Sequence, residues 1–354
     1  MFVSADKVPY NMHSMPSVTE NLAHRAYASA PDRFALREGN RHITYGELSE
    51  LVERMAGGLA QLGIRPGSRV AILMRDSIDA AVAILGTMAI GAIAVPLPEL
   101  STAEDLRARL RHAGATVAVV ERGLDAALDE VRAELPELRE VVCAGVVNPS
   151  MRDFAEFIAS ADRQPPVAVR ADDVCLLLYS SGSSSEDVRA VAHSHRSIAA
   201  AFASAQTAGL VAADDRVLSA GRLSTAYGLG SGLLFPLMAG CEAILLPEQP
   251  KSERVLRLIE ASSPTVIAAT PSLYSQLAHD ADDLGRRGAL RQCRLALAGA
   301  EGMPDAMLDL IHQVLGHEVT VGYGLTEIFG FAVASTPERA TQRPGSSGQV
   351  LPGI

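Results

Sequence analysis

Val174-Cys-Leu-Leu-Leu-Tyr-Ser-Ser-Gly-Ser-Ser-Ser-Glu-Asp-Val-Arg-Ala190 is an apolar run that opens into small polar residues. Val174–Leu178 has the length and residue types of a strand buried on both faces. Six consecutive Ser or Gly residues follow it, Ser180 to Ser185. Hydroxyls and backbone N–H groups at the end of a buried strand are donors for an oxyanion, and Gly182 lets a ligand approach the backbone closely. A surface linker has the same composition, so this stretch alone leaves both readings open.

The flanking sequence predicts what kind of fold holds that strand. Glu47–Leu62 has helical spacing of apolar residues, and Arg69–Met74 reads as a buried strand. A helix near Ala80–Ile90, a strand at Ile93–Val95, a helix at Ala103–His112 and a strand at Thr116–Val120 follow. The second half repeats the alternation. Strands near Val217–Ser219, Ala243–Leu246, Thr265–Ala269, Arg294–Ala298 and Glu318–Val321 are separated by helices at Ser252–Ala261, Pro271–His279 and Pro304–Leu315. Such alternation implies βαβ crossovers and mostly parallel sheets covered by helices on both faces. The polar stretch Asp162–Asp173, with Pro165-Pro166, is the expected junction between halves. Ala80–Leu97 is apolar and long enough to raise a membrane span. Gly86, Gly91 and Pro96 instead divide it into a buried helix ending near Gly91 and a central strand.

A second motif, Val319-Thr-Val-Gly-Tyr-Gly-Leu-Thr-Glu-Ile328, again runs a strand into a Gly-flanked turn. In order after the first, it resembles the acyl-adenylate-forming superfamily, which includes acyl- and aryl-CoA ligases, peptide-synthetase adenylation domains and luciferases. Ile43-Thr-Tyr-Gly-Glu-Leu48, Ala89–Leu97 and Leu297-Ala-Gly-Ala-Glu-Gly302 extend the likeness over nearly the whole chain. Ala226-Tyr-Gly-Leu-Gly-Ser231 with Phe235-Pro-Leu-Met-Ala-Gly240 is most similar to the benzoate-CoA-ligase branch.

The resemblance implies an α/β fold: two doubly wound, mostly parallel sheet subdomains, 1–170 and 171–340, the second holding the nucleotide and acid site. Residues 341–354 would start a small β-rich subdomain, incomplete here, with the mobile C-terminal domain absent. It also implies roles. Ser180, Ser181, Gly182, Ser183 and Ser184 would wrap the phosphates of ATP. Gly299, Ala300, Glu301, Gly322, Tyr323 and Gly324 would line the nucleotide, with Tyr323 stacked on adenine. Thr326 would bind phosphate and Glu327 Mg²⁺. Ala226, Tyr227, Gly228, Ala300 and Gly330 would shape the acid pocket. The residues suit these tasks: a ring offers a stacking face, a hydroxyl donates to an oxyanion, and a carboxylate suits a hard cation. Tyr227 is equally open to a purely packing role.

The phosphate loop departs from the family pattern. Its usual Gly, Pro and Lys are missing and it is one residue longer, which brings Arg189 to the place of the Lys as the candidate catalytic cation. Arginine neutralises phosphate with a planar fork of different reach. Glu186 and Asp187 add negative charge beside the expected triphosphate, which opposes binding unless they point away.

The net charge of −10 over 354 residues argues against nucleic acid or a membrane surface as partner. No basic segment followed by an apolar core opens the chain, so no signal peptide is expected. Cys143, Cys175, Cys241 and Cys293 are far apart and lie in or beside apolar runs, as buried free thiols of a cytoplasmic protein do. His193 and His195 have no matching carboxylate or Cys cluster and are expected in loop or helix-start roles rather than on a metal.

Three readings remain. The first is ATP-dependent, AMP-forming activation of an aryl or bulky carboxylic acid, followed by transfer to CoA or to the phosphopantetheine thiol of an acyl carrier protein. Homodimerisation is common in such ligases. The second is a degenerate relative that binds an acid or adenylate without turnover, and the third an enzyme of the same fold that uses an amine or nitrite as acceptor.

Overall fold

Thr44 starts the helix α1 (Tyr45–Gln61) with a reciprocal cap. Its hydroxyl accepts from the Glu47 amide at 3.2 Å, and its own amide donates to the Glu47 carboxylate at 2.7 Å. The Thr-x-x-Glu spacing alone specifies this start, because it satisfies two amides that the helix would leave unpaired. In α2 (Ile78–Ala89), Gly86 lets the two helices meet closely: a Cβ there would lie 2.6 Å from Met55 Cβ. Gly91, at φ 71°, ends the helical path in a conformation suited to glycine. The apolar stretch Ala80–Leu97 is therefore a buried helix followed by a strand, as expected. Among the described residues, no helix is long and apolar enough to cross a membrane.

The computed structural model describes residues 17–22, 30–145, 149–180, 188–283, 287–302, 304–316, 319–335 and 348–353. Its strands are β1 (Phe34–Glu38), β2 (Arg41–Thr44), β3 (Arg69–Leu73), β4 (Ile93–Pro96), β5 (Val117–Glu121), β6 (Glu140–Ala144), β7 (Arg152–Asp153) and β8 (Val174–Tyr179). The rest are β9 (Ala190–Ser194), β10 (Arg216–Ser219), β11 (Glu242–Leu245), β12 (Val266–Ala269), β13 (Leu295–Ala298), β14 (Val319–Leu325), β15 (Gly330–Ala334) and β16 (Gln349–Val350). One sheet has the order β7-β6-β5-β3-β4-β8-β9, the other β16-β15-β14-β13-β12-β10-β11-β1-β2. The fold is α/β with two mostly parallel sheets, as the alternation of elements implies. Antiparallel pairing enters at β8–β9, β14–β15 and β15–β16.

Two compact units result, one built on Thr44–Ile198 and the other on Arg33–Ile43 with the chain from Ala199 onward. The sequence reading divided the chain at 170/171 and assigned the Val174 strand to the second half. The observed division follows Ile198 because β8 pairs parallel to β4 at Ala94↔Leu176 and turns back antiparallel as β9. Asp162–Asp173 thus lies inside the first unit. Arg33–Ile43 joins the second through β1, which pairs parallel to β11.

In the second unit the pleat of the sheet separates two faces. Leu218, Ile244, Ile267, Ala296 and Val319 lie in a buried cluster with residues of Ser252–Ser262, Pro271–Asp283 and Asp305–Leu315. Ser219, Ala268, Leu297 and Thr320 alternate to the opposite face. The segment Ala226–Ala239 packs there against β10 and β11.

Candidate functional site

The site is built at the carboxyl ends of β13 and β14, where ligands of parallel α/β sheets bind. β13 ends in Gly299 and Ala300. Ala300 is exposed and has a φ of 71°, a left-handed conformation costing a residue with a Cβ about 1–2 kcal/mol. The sequence reading placed Tyr323 in a turn, but β14 continues through Leu325, with a bulge between Tyr323 and Gly324. The strand persists because Gly324 admits β15 at close range: a Cβ there would lie 2.0 Å from the Gly330 carbonyl oxygen. Beside the bulge Tyr323 is 54% exposed, and its ring offers a face to a planar ligand.

Thr326–Ile328 form a single 3₁₀ turn after β14, with Glu327 exposed and Thr326 partly so. Phe329 closes the turn at φ 51°, and its amide donates to the Thr326 carbonyl at 3.3 Å. Its ring is fully buried and meets the Phe235 ring edge-on, with centroids 5.9 Å apart. That anchor presents Thr326 and Glu327 outward. Among the described residues, no three His, Cys, Asp or Glu side chains gather as a protein-only metal cage would need. One exposed carboxylate, Glu327, suits a Mg²⁺ whose other ligands are water and phosphate oxygens.

Gly299 and Gly322 continue the parallel register Ala298↔Val321, and both lie against the Phe331 ring. A Cβ on Gly322 would come within 2.6 Å of three ring carbons, and one on Gly299 within 2.7 Å of Cε1. Absent side chains on two neighbouring strands thus make a trench, and Phe331 fills it. Tyr227 forms the adjoining wall, its ring centroid 5.7 Å from that of Phe331.

Tyr227 is held by the strands beneath it. Its hydroxyl lies 3.0 Å from the Leu297 carbonyl oxygen and 3.2 Å from that of Ala269, a proton shared between two acceptors. Burial pushes the phenol well above its ordinary range, so it stays a neutral donor. Ala226 is buried and follows Thr225, whose hydroxyl caps the helix by accepting from the Gly228 amide at 3.1 Å. At Gly228 a Cβ would collide with the Arg222 carbonyl oxygen at 2.2 Å. The helix then widens into a π segment, Gly230–Leu234. Pro236 brings no N–H to the ladder, and the Ser231 hydroxyl takes the Tyr227 carbonyl at 2.6 Å. Gly330 is less constrained: a Cβ there would meet Ala201 at 3.6 Å and Phe235 at 3.9 Å, ordinary contacts.

The remaining candidates divide. The Glu301 carboxylate accepts from the Ser272 amide at 3.2 Å and its hydroxyl at 3.1 Å, so it caps the start of the helix Pro271–Asp283. Ser180 and Arg189 belong to the other compact unit, at the base of the β8–β9 hairpin, where the Ser180 amide donates to the Arg189 carbonyl at 3.4 Å. The Arg189 side chain is exposed. Ser181, Gly182, Ser183 and Ser184 lie outside the described residues. The four cysteines are buried, and burial pushes Cys143 and Cys293 up to about 11 and the other two higher. Thiols so held are poor nucleophiles.

Phe331 is the site residue that sequence reasoning missed. Glycines at the ends of two predicted strands hint that something fills the space above them. Which aromatic does so follows from the β14–β15 register, which local sequence does not carry.

Comparisons with known proteins follow the same outline. A family model described as "AMP-binding enzyme" matches residues 22–354. The 4-hydroxybenzoate–CoA/benzoate–CoA ligase of Rhodopseudomonas palustris is 28% identical over 91% of this chain and 59% of its own length. The benzoate–CoA ligase of Thauera aromatica is 30% identical over 88% of this chain and 58% of its own. The chain thus spans about three fifths of these curated relatives. The crystal structure of the anthranilate CoA ligase AuaEII with anthranoyl-AMP superposes with a TM-score of 0.86 at 25% identity, covering 99% of this chain and 65% of that one.

Proposed function

This chain belongs to the AMP-binding enzyme family, and we propose that it is the nucleotide- and acid-binding part of a ligase that activates a carboxylic acid with ATP, by preference an aryl acid. A carboxylate oxygen of the acid would attack the α-phosphorus and displace pyrophosphate, leaving an acyl-adenylate. A thiol, of CoA or of a carrier protein's phosphopantetheine arm, would then take the acyl group and release AMP. The observation that carries this reading is the exposed Tyr323 ring beside Thr326 and Glu327 at the carboxyl end of β14.

The chain's own residues would act by position and charge. Tyr323 offers a stacking face to adenine. Thr326 donates to a phosphate oxygen, and Glu327 helps to hold Mg²⁺, which would neutralise the phosphates. Gly299 and Gly322 admit the Phe331 ring, which with Tyr227 would wall the acid, and Ala300 turns the chain out of its way. Ser180 and Arg189, in the other compact unit, keep the phosphate-binding role that the family resemblance implies as candidates. The resemblance to benzoate- and hydroxybenzoate–CoA ligases supports an aryl acid. The buried free thiols fit a cytoplasmic setting.

Calorimetric titration of this chain with Mg²⁺–ATP and with benzoate tests the reading. Tyr323→Ala should weaken nucleotide binding about tenfold or more, since stacking a base on an aromatic ring contributes about 1–3 kcal/mol. Glu327→Gln should weaken Mg²⁺–ATP but leave benzoate unaffected. Benzoate binding with no nucleotide binding would sink the ligase reading in favour of a non-catalytic acid binder.

A further inference from the structure

We propose that Tyr179 is a positioning residue for the nucleotide: its hydroxyl fixes the neck of the β8–β9 hairpin, from which Ser180 and Arg189 would reach the phosphates. The inference rests on the phosphate-binding role proposed above for those two residues. Tyr179 is the last residue of β8 and pairs with Ala190, the first of β9, in the antiparallel register. Ser180 and Arg189 adjoin that pair directly, the Ser180 amide donating to the Arg189 carbonyl at 3.4 Å. Whatever holds Tyr179 therefore sets where both start. The parallel pairing of β8 with β4 is at Ala94↔Leu176, three residues earlier.

The Tyr179 side chain adds a second hold. It is buried, and its hydroxyl donates at 2.8 Å to the carbonyl of Arg109, on the helix α3 (Ala103–Ala113). That gives away its only proton, so His112 Nδ1, 3.2 Å from the same oxygen, is the donor of a second bond. The Tyr179 and His112 rings meet edge-on, with centroids 5.7 Å apart. The Arg109 guanidinium lies over the Tyr179 ring at 5.9 Å, and its Nη1 donates to the Ser101 hydroxyl at 2.8 Å. Ser101 in turn donates to the carbonyl of Pro98 at 2.7 Å, two residues past β4. The end of β8 is thus bound to the end of β4 through side chains. Burial pushes the phenol well above its ordinary range, which outweighs the Arg109 charge and keeps the donor neutral. A phenylalanine would fill the same space in this core, so packing alone does not call for a hydroxyl there.

The test is calorimetric titration of the chain and its Tyr179→Phe variant with Mg²⁺–ATP and with benzoate. Tyr179→Phe should weaken Mg²⁺–ATP by about 3- to 10-fold, the range of one net hydrogen bond, and leave benzoate within about 1.5-fold. Leu128→Val, in the same buried cluster but on the neighbouring helix Asp125–Val131, controls for lost stability and should alter neither ligand. If Tyr179→Phe does not fold, His112→Leu removes one of the hydroxyl's partners and should weaken Mg²⁺–ATP about threefold. Mg²⁺–ATP binding unchanged by Tyr179→Phe, or weakened equally by Leu128→Val, would overturn the positioning role and leave the nucleotide site standing. An equal loss of benzoate affinity would overturn it too, since a general loosening moves both ligands. Absence of Mg²⁺–ATP binding to the parent chain would overturn the nucleotide reading, and this inference with it.

Discussion

Asp215→Asn should destabilise the second unit by about 2–3 kcal/mol while sparing ligand binding. Asp215, Thr265 and Arg294 immediately precede β10, β12 and β13, so they clamp three neighbouring strands at their amino ends, opposite the site. Asp215 Oδ1 accepts from Arg294 Nε and from the Thr265 hydroxyl, each at 2.7 Å. Its Oδ2 accepts from the Ala212 amide at 2.7 Å and from Arg294 Nη2. Removing one member of a buried ion pair costs about 3–5 kcal/mol. The Asp215 side chain is 3% exposed but that of Arg294 is 41%, so water recovers part of the loss. For a unit of this size the remainder corresponds to a fall in Tm of roughly 5–10 °C.

The pH dependence has a definite sign. Burial alone would push the Asp215 carboxyl up, but the bonds from Arg294, Thr265 and the Ala212 amide outweigh it and hold the group below its ordinary range. A carboxyl depressed in the folded state contributes stability at pH values above its unfolded pKa, near 3.9, and loses it as pH falls through the folded value. The stability gap between parent and Asp215→Asn should therefore be constant from pH 7 to 5 and close below about pH 4. Urea unfolding followed by circular dichroism at pH 7, 5 and 3 measures it. A gap under about 0.5 kcal/mol at pH 7, or one that widens on acidification, would refute the reasoning.

Ala300→Gly should stabilise by about 0.5–1 kcal/mol in the same assay, because relief of the left-handed strain exceeds the added entropy of the unfolded chain; destabilisation would show that the Ala300 conformation is not strained. Thr320→Val keeps the shape and removes a buried hydroxyl that has no partner among the described residues, so it should stabilise by about 1 kcal/mol. A loss of stability there would mean that the hydroxyl is satisfied.

Much of the site is legible without a structure because its parts are local. Gly322, Tyr323, Thr326 and Glu327 lie within six residues, and their order along a strand and turn is their arrangement in space. The Thr44–Glu47 cap and the break at Gly91 are local in the same way. Tyr227 is the contrary case. Its role depends on carbonyls of Ala269 and Leu297, 42 and 70 residues away, which tie its hydroxyl and make it a fixed wall. The partner of the Glu301 carboxylate, the Ser272 amide and hydroxyl 29 residues away, is likewise invisible in the local sequence.

The linear order of residues carries the fold class, since their spacing reports each segment's periodicity and glycine or proline marks its end. It also determined the chemical character of the β14 motif, since those side chains need only their own strand and turn to be presented together. That β8 joins the first sheet, that β1 joins the second, and that β15 returns antiparallel to lay Phe331 over Gly299 and Gly322 is visible only in three dimensions. Strand partners and register depend on which distant surfaces bury one another best, and no local pattern of residues encodes that choice.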